Sequence, residues 1–209
     1  MYGNYETSNY AAAHTNTNDS TIKTYIDNWY KTNILGTVNE QYLADNVFCN
    51  DRSISTYSAS TNTKLGYGKN ITYYRWFYGS WNGTDHGNSN ILLKCPQQND
   101  AFTVRDTVKG NGALTYPIGL LTADEVVLTG GWNDANSNYY LYTGQSWWSI
   151  SPGYFNNLLA NGRHVYWNGS AYNYYVLGDS YGVRPVLNLK PEALKYGDGT
   201  ANNPYRLTE

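Results

Sequence analysis

The chain reads as an α+β protein: short N-terminal helices, a small antiparallel sheet and long irregular loops, in a single domain over 1–209. Helical apolar spacing is confined to a segment near the start and one short stretch later. From Tyr139 onward, aromatic-rich runs of strand length are bounded by Gly, Asn or Pro. Finally, no internal repeat and no charge-rich or Pro-rich linker divides the 209 residues, a length sufficient for one sizeable core.

Residues 1–18 read as an extended lead-in. "NDSTIKTYIDNWYKTNIL" then carries the clearest helix. Ser20 or Asp19 can cap it, and Ile22, Ile26, Trp29 and Tyr30 fall at i, i+4, i+7 and i+8 on one apolar face. Val38 to Asn46 suggests a second short helix. "LGYGKNITYYRWFYGSWNGTDHGNSNILLKC" is too irregular for one element and reads as strands with an exposed loop around Trp81 to Asn90. "TADEVVLTGG" opens with a capping box, Thr122 with Glu125, and stops at Gly130-Gly131. Capping also accounts for Asp124 more simply than acid–base chemistry does.

The C-terminal β half, 139–190, contains "YYLYTG", "SWWSIS", "RHVYW", "YNYYVL" and "GVRPVLNL" as expected strands, and "GDGTANNPYRL" closes the chain as a turn-rich tail. In "VYWNGSAYNYYV", Asn168-Gly169 is a strong hairpin signal. A two-residue loop would pair Trp167 with Ser170, Val165 with Tyr172 and Arg163 with Tyr174. Val165, Trp167, Tyr172, Tyr174 and Val176 then share a core face, and His164, Tyr166, Asn173 and Tyr175 share an exposed one. A slip of one residue would exchange the faces.

Composition narrows function. Tyr accounts for 23 residues, whereas charged residues are only 14%, against roughly 25% in ordinary soluble domains. Tyr with Asn, Ser and Gly is the chemistry of contact surfaces, offering large rings at low entropy cost and adaptable small polar groups. A net charge of −2 without a basic run argues against nucleic acid. No stretch has the roughly 18 apolar residues of a membrane span. "MYGNYETSNY" lacks the regions of a signal peptide, so an export address and a membrane or pilus anchor are expected outside this stretch. The two cysteines, Cys49 and Cys95, suit one disulfide closing a loop of about 46 residues, worth about 3–4 kcal/mol, with two buried thiols as the alternative. A disulfide would imply an oxidising compartment.

Chemistry-bearing patterns are sparse. His14, His86 and His164 are isolated, so zinc is not expected, and neither a phosphate-binding Gly loop nor a G-x-S-x-G elbow is present. No cofactor is expected. Asp198 in "YGDGT" and Asp134 in "WNDANSN" could lend oxygens to calcium, but turns explain them as well. Asn70, Asn82 and Asn168 begin glycosylation-type triplets.

"YYLYTGQSWWSISPGYF" followed by "SYGVRPVLNL" resembles the C-terminal half of bacterial C-type-lectin-fold proteins, including the formylglycine-generating-enzyme-like group and the retroelement-diversified variable proteins. "TIKTYIDNWYKTN", "FCNDRS", "CPQQNDAFTV" and "LTYPIGLLTADEVV" also resemble surface proteins of gut Firmicutes. The resemblance implies a C-type-lectin-like fold. Trp148, Ser151 and Pro152 match its core-side element, and Gly182, Val183, Arg184 and Pro185 match its closing strand, with Arg184 at least half-buried and paired. It further implies that the intervening positions vary and meet ligand: Ser146, Trp147, Ser149, Tyr154, Asn157, His164, Tyr166, Trp167, Asn173, Tyr174, Tyr175 and Asp179. The enzyme branch needs reactive cysteines in its C-terminal half, and none follows Cys95 here.

The expected function is therefore a non-enzymatic ligand-binding ectodomain or adhesin on the cell surface, presenting Tyr, Asn and Trp to a protein or glycan. Two alternatives stand beside it. One is a glycan-binding module that stacks sugars on Trp132, Trp147 or Trp167. The other is a structural or pilus-tip subunit whose aromatics form a subunit interface.

Overall fold

The computed structural model describes residues 15–55, 72–76, 91–131, 134–155, 160–176 and 180–207, with Thr72, Phe155, Asn173, Tyr174 and Tyr175 described in backbone alone. It has mixed helix and strand, as the sequence predicts. Helix α1 (Thr21–Asn33) starts at Ser20, whose hydroxyl accepts from the Lys23 amide at 3.1 Å. Ile26 and Tyr30 are buried against Ile118 and Leu120, with Ile22, Trp29, Val183 and Leu187 packed around them. The Tyr30 ring stacks on Tyr116 with centroids 4.8 Å apart. The expected helix over Val38 to Asn46 is only a single 3-10 turn, Glu40–Tyr42.

Strands β1 (Phe48–Cys49) and β3 (Ala101–Phe102) form a two-stranded antiparallel sheet. Phe48, Phe102 and Leu114 make a second apolar cluster, which Ile150 joins to the α1 cluster. The predicted disulfide is present: Cys49 and Cys95 are bonded, with Cα atoms 5.5 Å apart.

Helix α2 (Ala123–Leu128) carries the full capping box of Thr122 and Glu125, and Gly130 follows it with φ 107°. Asp124 departs from the capping expectation. It is buried and accepts from the Arg75 guanidinium, from Trp76 Nε1 at 2.8 Å and from the Leu92 amide at 2.7 Å. It therefore ties three segments together. Arg75 also donates to Asp51 at 2.6 Å, and Arg52 pairs with the fully buried Asp100 at 2.6 Å. Five charged residues, Asp51, Arg52, Arg75, Asp100 and Asp124, make this internal lattice, where each must be partnered to tolerate burial.

A four-stranded antiparallel sheet has the order β2-β4-β5-β6, from β2 (Thr72–Tyr73), β4 (Trp147–Phe155), β5 (Ala160–Val165) and β6 (Ala171–Tyr175). "SWWSIS", "RHVYW" and "YNYYVL" supply its strands as expected. "YYLYTG" is instead a turn closed by the Tyr142 amide on the Tyr139 carbonyl. "GVRPVLNL" forms only isolated bridges, Gly182 with Trp147, Val186 with Gly119 and Leu189 with Leu43. Pro185 lacks an N–H, which suits a segment that touches several partners without joining a ladder. The tail turns through Gly197 and Gly199, both at positive φ, and closes on a Tyr196–Arg206 bridge.

The hairpin register corrects the sequence reading. Val165 pairs with Ala171, His164 with Tyr172, Arg163 with Asn173, Gly162 with Tyr174 and Asn161 with Tyr175. The loop contains three residues, Trp167 to Gly169, because Tyr166 and Ser170 still pair through the Tyr166 amide at 2.7 Å. Gly169, at φ 86°, supplies the left-handed residue that such a loop needs. That extra residue shifts β6 by one place against the two-residue expectation. Tyr172 moves to the His164 side, and Asn173, Tyr174 and Tyr175 change backbone partners with it.

Candidate ligand-binding surface

Alternation along β4 and β5 gives the sheet two unlike faces. Trp147 sits opposite Val165, and Trp148 sits opposite His164. Trp147, Val165 and Ala171 turn inward and bury against Val126 of α2 and Tyr139. Trp148, His164 and Tyr172 turn the other way and touch ring to ring, with Trp148 (6% exposed) and His164 buried and Tyr172 at the exposed rim.

His164 is its centre. The ring stacks on Tyr181 with centroids 4.8 Å apart and planes 18° apart. Trp148 lies 5.6 Å away, Tyr166 meets it edge-on at 6.0 Å, and Tyr172 lies at 6.5 Å. Trp148 also touches Tyr181 at 5.1 Å, so each ring braces the next. Gly162 leaves room at the far side, where an added Cβ would stand 3.5 Å from both the Trp148 ring and Val176. Tyr166 leads to Trp167 at 5.8 Å, out on the hairpin tip.

The surface grades from a buried floor to an exposed rim. His164 is 2% exposed, so its expected place on an exposed face is corrected: the surrounding rings cover it. Tyr172, expected in the core, is 39% exposed, and Trp167 is 56% exposed. The rings of this face contact one another. Such a face suits apolar contact and hydrogen bonding through phenol tips more than charge steering.

The other expected ligand-contacting residues are scattered. Trp147, at 1% exposure, is a core residue under the Arg184 guanidinium, 4.9 Å from its ring, and cannot serve as a stacking platform. Arg184 is half-buried and paired as expected, donating to the Leu141 carbonyl at 2.6 Å. Ser149 donates to the Arg163 carbonyl at 2.9 Å, and the Ser146 carbonyl accepts from Gly182 at 2.9 Å, so both serve the sheet. Tyr154 is half-buried beside Tyr73, ring centroids 6.0 Å apart. Asn173, Tyr174 and Tyr175 are placed by backbone register alone, and Trp132, Asn157 and Asp179 lie outside the described residues.

Tyr172 and Tyr181 were missed as members of the face, whereas Trp148, expected on the core side, is buried beneath it. The parity of "WW" against "RHVYW" carries the signal for Trp148, since adjacent tryptophans in a strand must face opposite ways. Among the described residues no group of three His, Cys, Asp or Glu side chains could hold a metal ion. Asp198 accepts from the Thr200 amide at 3.0 Å, and that bond holds its pKa below the usual carboxylate range. No helix among the described residues is long and apolar enough to cross a membrane. Neither a protein-family model, nor a curated protein, nor a solved structure matches the chain.

Proposed function

We propose that this chain is a non-enzymatic binding module of C-type-lectin-like type, displayed outside the cell, whose aromatic face contacts a protein or glycan ligand. The observation that carries the reading is the run of rings from Tyr181 through His164 to Tyr172, Tyr166 and Trp167 on the side of the sheet opposite the core. A face that covered nothing would waste large rings, since soluble proteins seldom expose contiguous apolar patches without a partner. The buried floor fixes rotamers in advance, which lowers the entropy lost on binding. The Cys49–Cys95 bond is compatible with an oxidising, extracellular setting. In the diversified-protein reading, the varying positions include the exposed rim residue Trp167.

Wild type and a Trp167→Ala/Tyr172→Ala variant, probed on glycan and surface-protein arrays, test this proposal. Central aromatic contacts are worth about 2 kcal/mol or more each, so loss of both should weaken hits by about 4 kcal/mol, roughly a thousand-fold, while the melting temperature stays near wild type. Binding should change little between low and moderate salt. Hits that survive the double substitution undiminished would overturn the assignment of this face.

A further inference from the structure

Independently of what the face binds, we propose that Asn168 at the hairpin tip is a self-modification site, converting to aspartate and isoaspartate through a cyclic imide formed with Gly169. Asn–Gly steps occur at Asn82, Asn111, Asn161 and Asn168. All four have the same local chemistry: glycine has no Cβ to shield its amide nitrogen from the asparagine Cγ. The fold separates them.

Asn161 is buried in β5, held in extended conformation between Tyr154 on one side and Tyr175 on the other. Asn111 accepts from the Ala113 amide at 2.9 Å, but its own side-chain nitrogen is held by the Asn99 carbonyl at 2.9 Å. The Gly112 amide is engaged by Thr103 Oγ1 at 3.1 Å. Asn82 lies outside the described residues.

Asn168 differs. Its Oδ1 accepts from the Ser170 amide at 3.0 Å and from Ser170 Oγ at 2.5 Å. This Asx turn folds the side chain back over the following peptide, towards Gly169 N. Among the described residues no acceptor holds the Asn168 side-chain nitrogen. Two donors already point at the oxygen that gains negative charge, the arrangement that stabilises a tetrahedral intermediate.

The step balances as follows. Gly169 N loses its proton to solvent base and attacks Asn168 Cγ, forming a C–N bond. The oxyanion rests on the Ser170 N–H and O–H, then collapses as the Cγ–Nδ2 bond breaks and the nitrogen leaves, protonated by water, as ammonia. One water then opens the five-membered imide at either carbonyl, giving aspartate or isoaspartate. The Gly169 amide donates to the Tyr166 carbonyl at 2.9 Å, so this bond must open first, in a rapid equilibrium ahead of the slower attack.

The fold also prevents escape by substitution at Gly169. Its φ is 86°, and an added Cβ would stand 1.9 Å from the Asn136 carbonyl oxygen. The product places a carboxylate beside exposed Trp167. In the isoaspartate form it also lengthens the main chain where the Asn136 amide binds the Asn168 carbonyl at 3.1 Å.

The test is to age the full native chain in mildly alkaline buffer and map aspartate and isoaspartate by peptide mass spectrometry. Asn168 should convert several-fold faster than Asn111 and Asn161, and Ser170→Ala, which keeps the backbone donor, should slow it several-fold. Denaturant should erase the ranking. Conversion of Asn111 or Asn161 as fast as Asn168 in the native chain would overturn the proposal, as would an unchanged rate in a folded Ser170→Ala. The wild-type ranking decides the matter by itself if that variant does not fold.

Discussion

Arg163 is the most unusual single residue. It is 2% exposed, its Nη2 donates to the Ala171 carbonyl at 3.1 Å, and among the described residues its Nε and Nη1 have no hydrogen-bond partner. Burial pulls its pKa down to about 9, still above neutrality, so a charged guanidinium sits in the core. The Trp76 ring, 5.7 Å away, gives partial compensation. Among the described residues no carboxylate pairs with it, in contrast to Arg52 and Arg75. Arg163→Met keeps the length of the stem and removes the desolvated charge, so it should raise stability by about 1–3 kcal/mol in denaturant unfolding. A loss of stability would show that the Trp76 and Ala171 contacts outweigh desolvation. The expected pairing of Arg163 with Tyr174 already gave it the parity of the core face, but "RHVYW" does not show that the guanidinium would meet the Trp76 ring in place of a carboxylate.

At the scale of elements, α1 and α2 were legible to within a residue or two. Their apolar spacing and their caps, Ser20 and Thr122 with Glu125, act within one turn of chain. The hairpin was half legible. Asn168-Gly169 announces a turn, but both two- and three-residue loops use glycine at positive φ, and one residue of loop length decides which side chains share a face. That is why Tyr172 moved from the expected core to the aromatic rim. Among the described residues of 139–190, the two glycines at positive φ separate sterics from backbone conformation. Gly144, at φ 70°, has nothing nearer to an added Cβ than the Tyr142 hydroxyl at 3.7 Å, whereas Gly169 faces a carbonyl. Gly144→Ala should cost about 1–2 kcal/mol from left-handed strain alone. Gly169→Ala should cost more than about 3 kcal/mol, because displacing Asn136 also breaks the tip contact. Thermal melts of the two variants that coincide would refute the ranking.

The molecule as a whole is held by crosslinks as much as by apolar volume. The Cys49–Cys95 bond, the Asp51–Arg75–Asp124 lattice and the Arg52–Asp100 pair all join segments far apart in sequence. Breaking the disulfide as Cys49→Ser/Cys95→Ser should lower stability by about 3–4 kcal/mol, the loop-closure value for a separation of 46 residues. Chemical denaturation of the oxidised and doubly substituted chains measures it, and equal midpoints would mean that the ion pairs alone hold the loop. What the sequence determined by itself is local or pairwise: helix spans and caps, a turn at Asn168-Gly169, an even cysteine pair, and a composition rich in Tyr and poor in charge. The tertiary structure decided which rings face the core and which line the surface. Trp147 and Trp148 are identical letters at adjacent positions, and their fates diverge because strand alternation sends one under Arg184 and the other against His164. Burial is a property of the partner surface, and a single sequence states its own residues without stating what is packed on top of them.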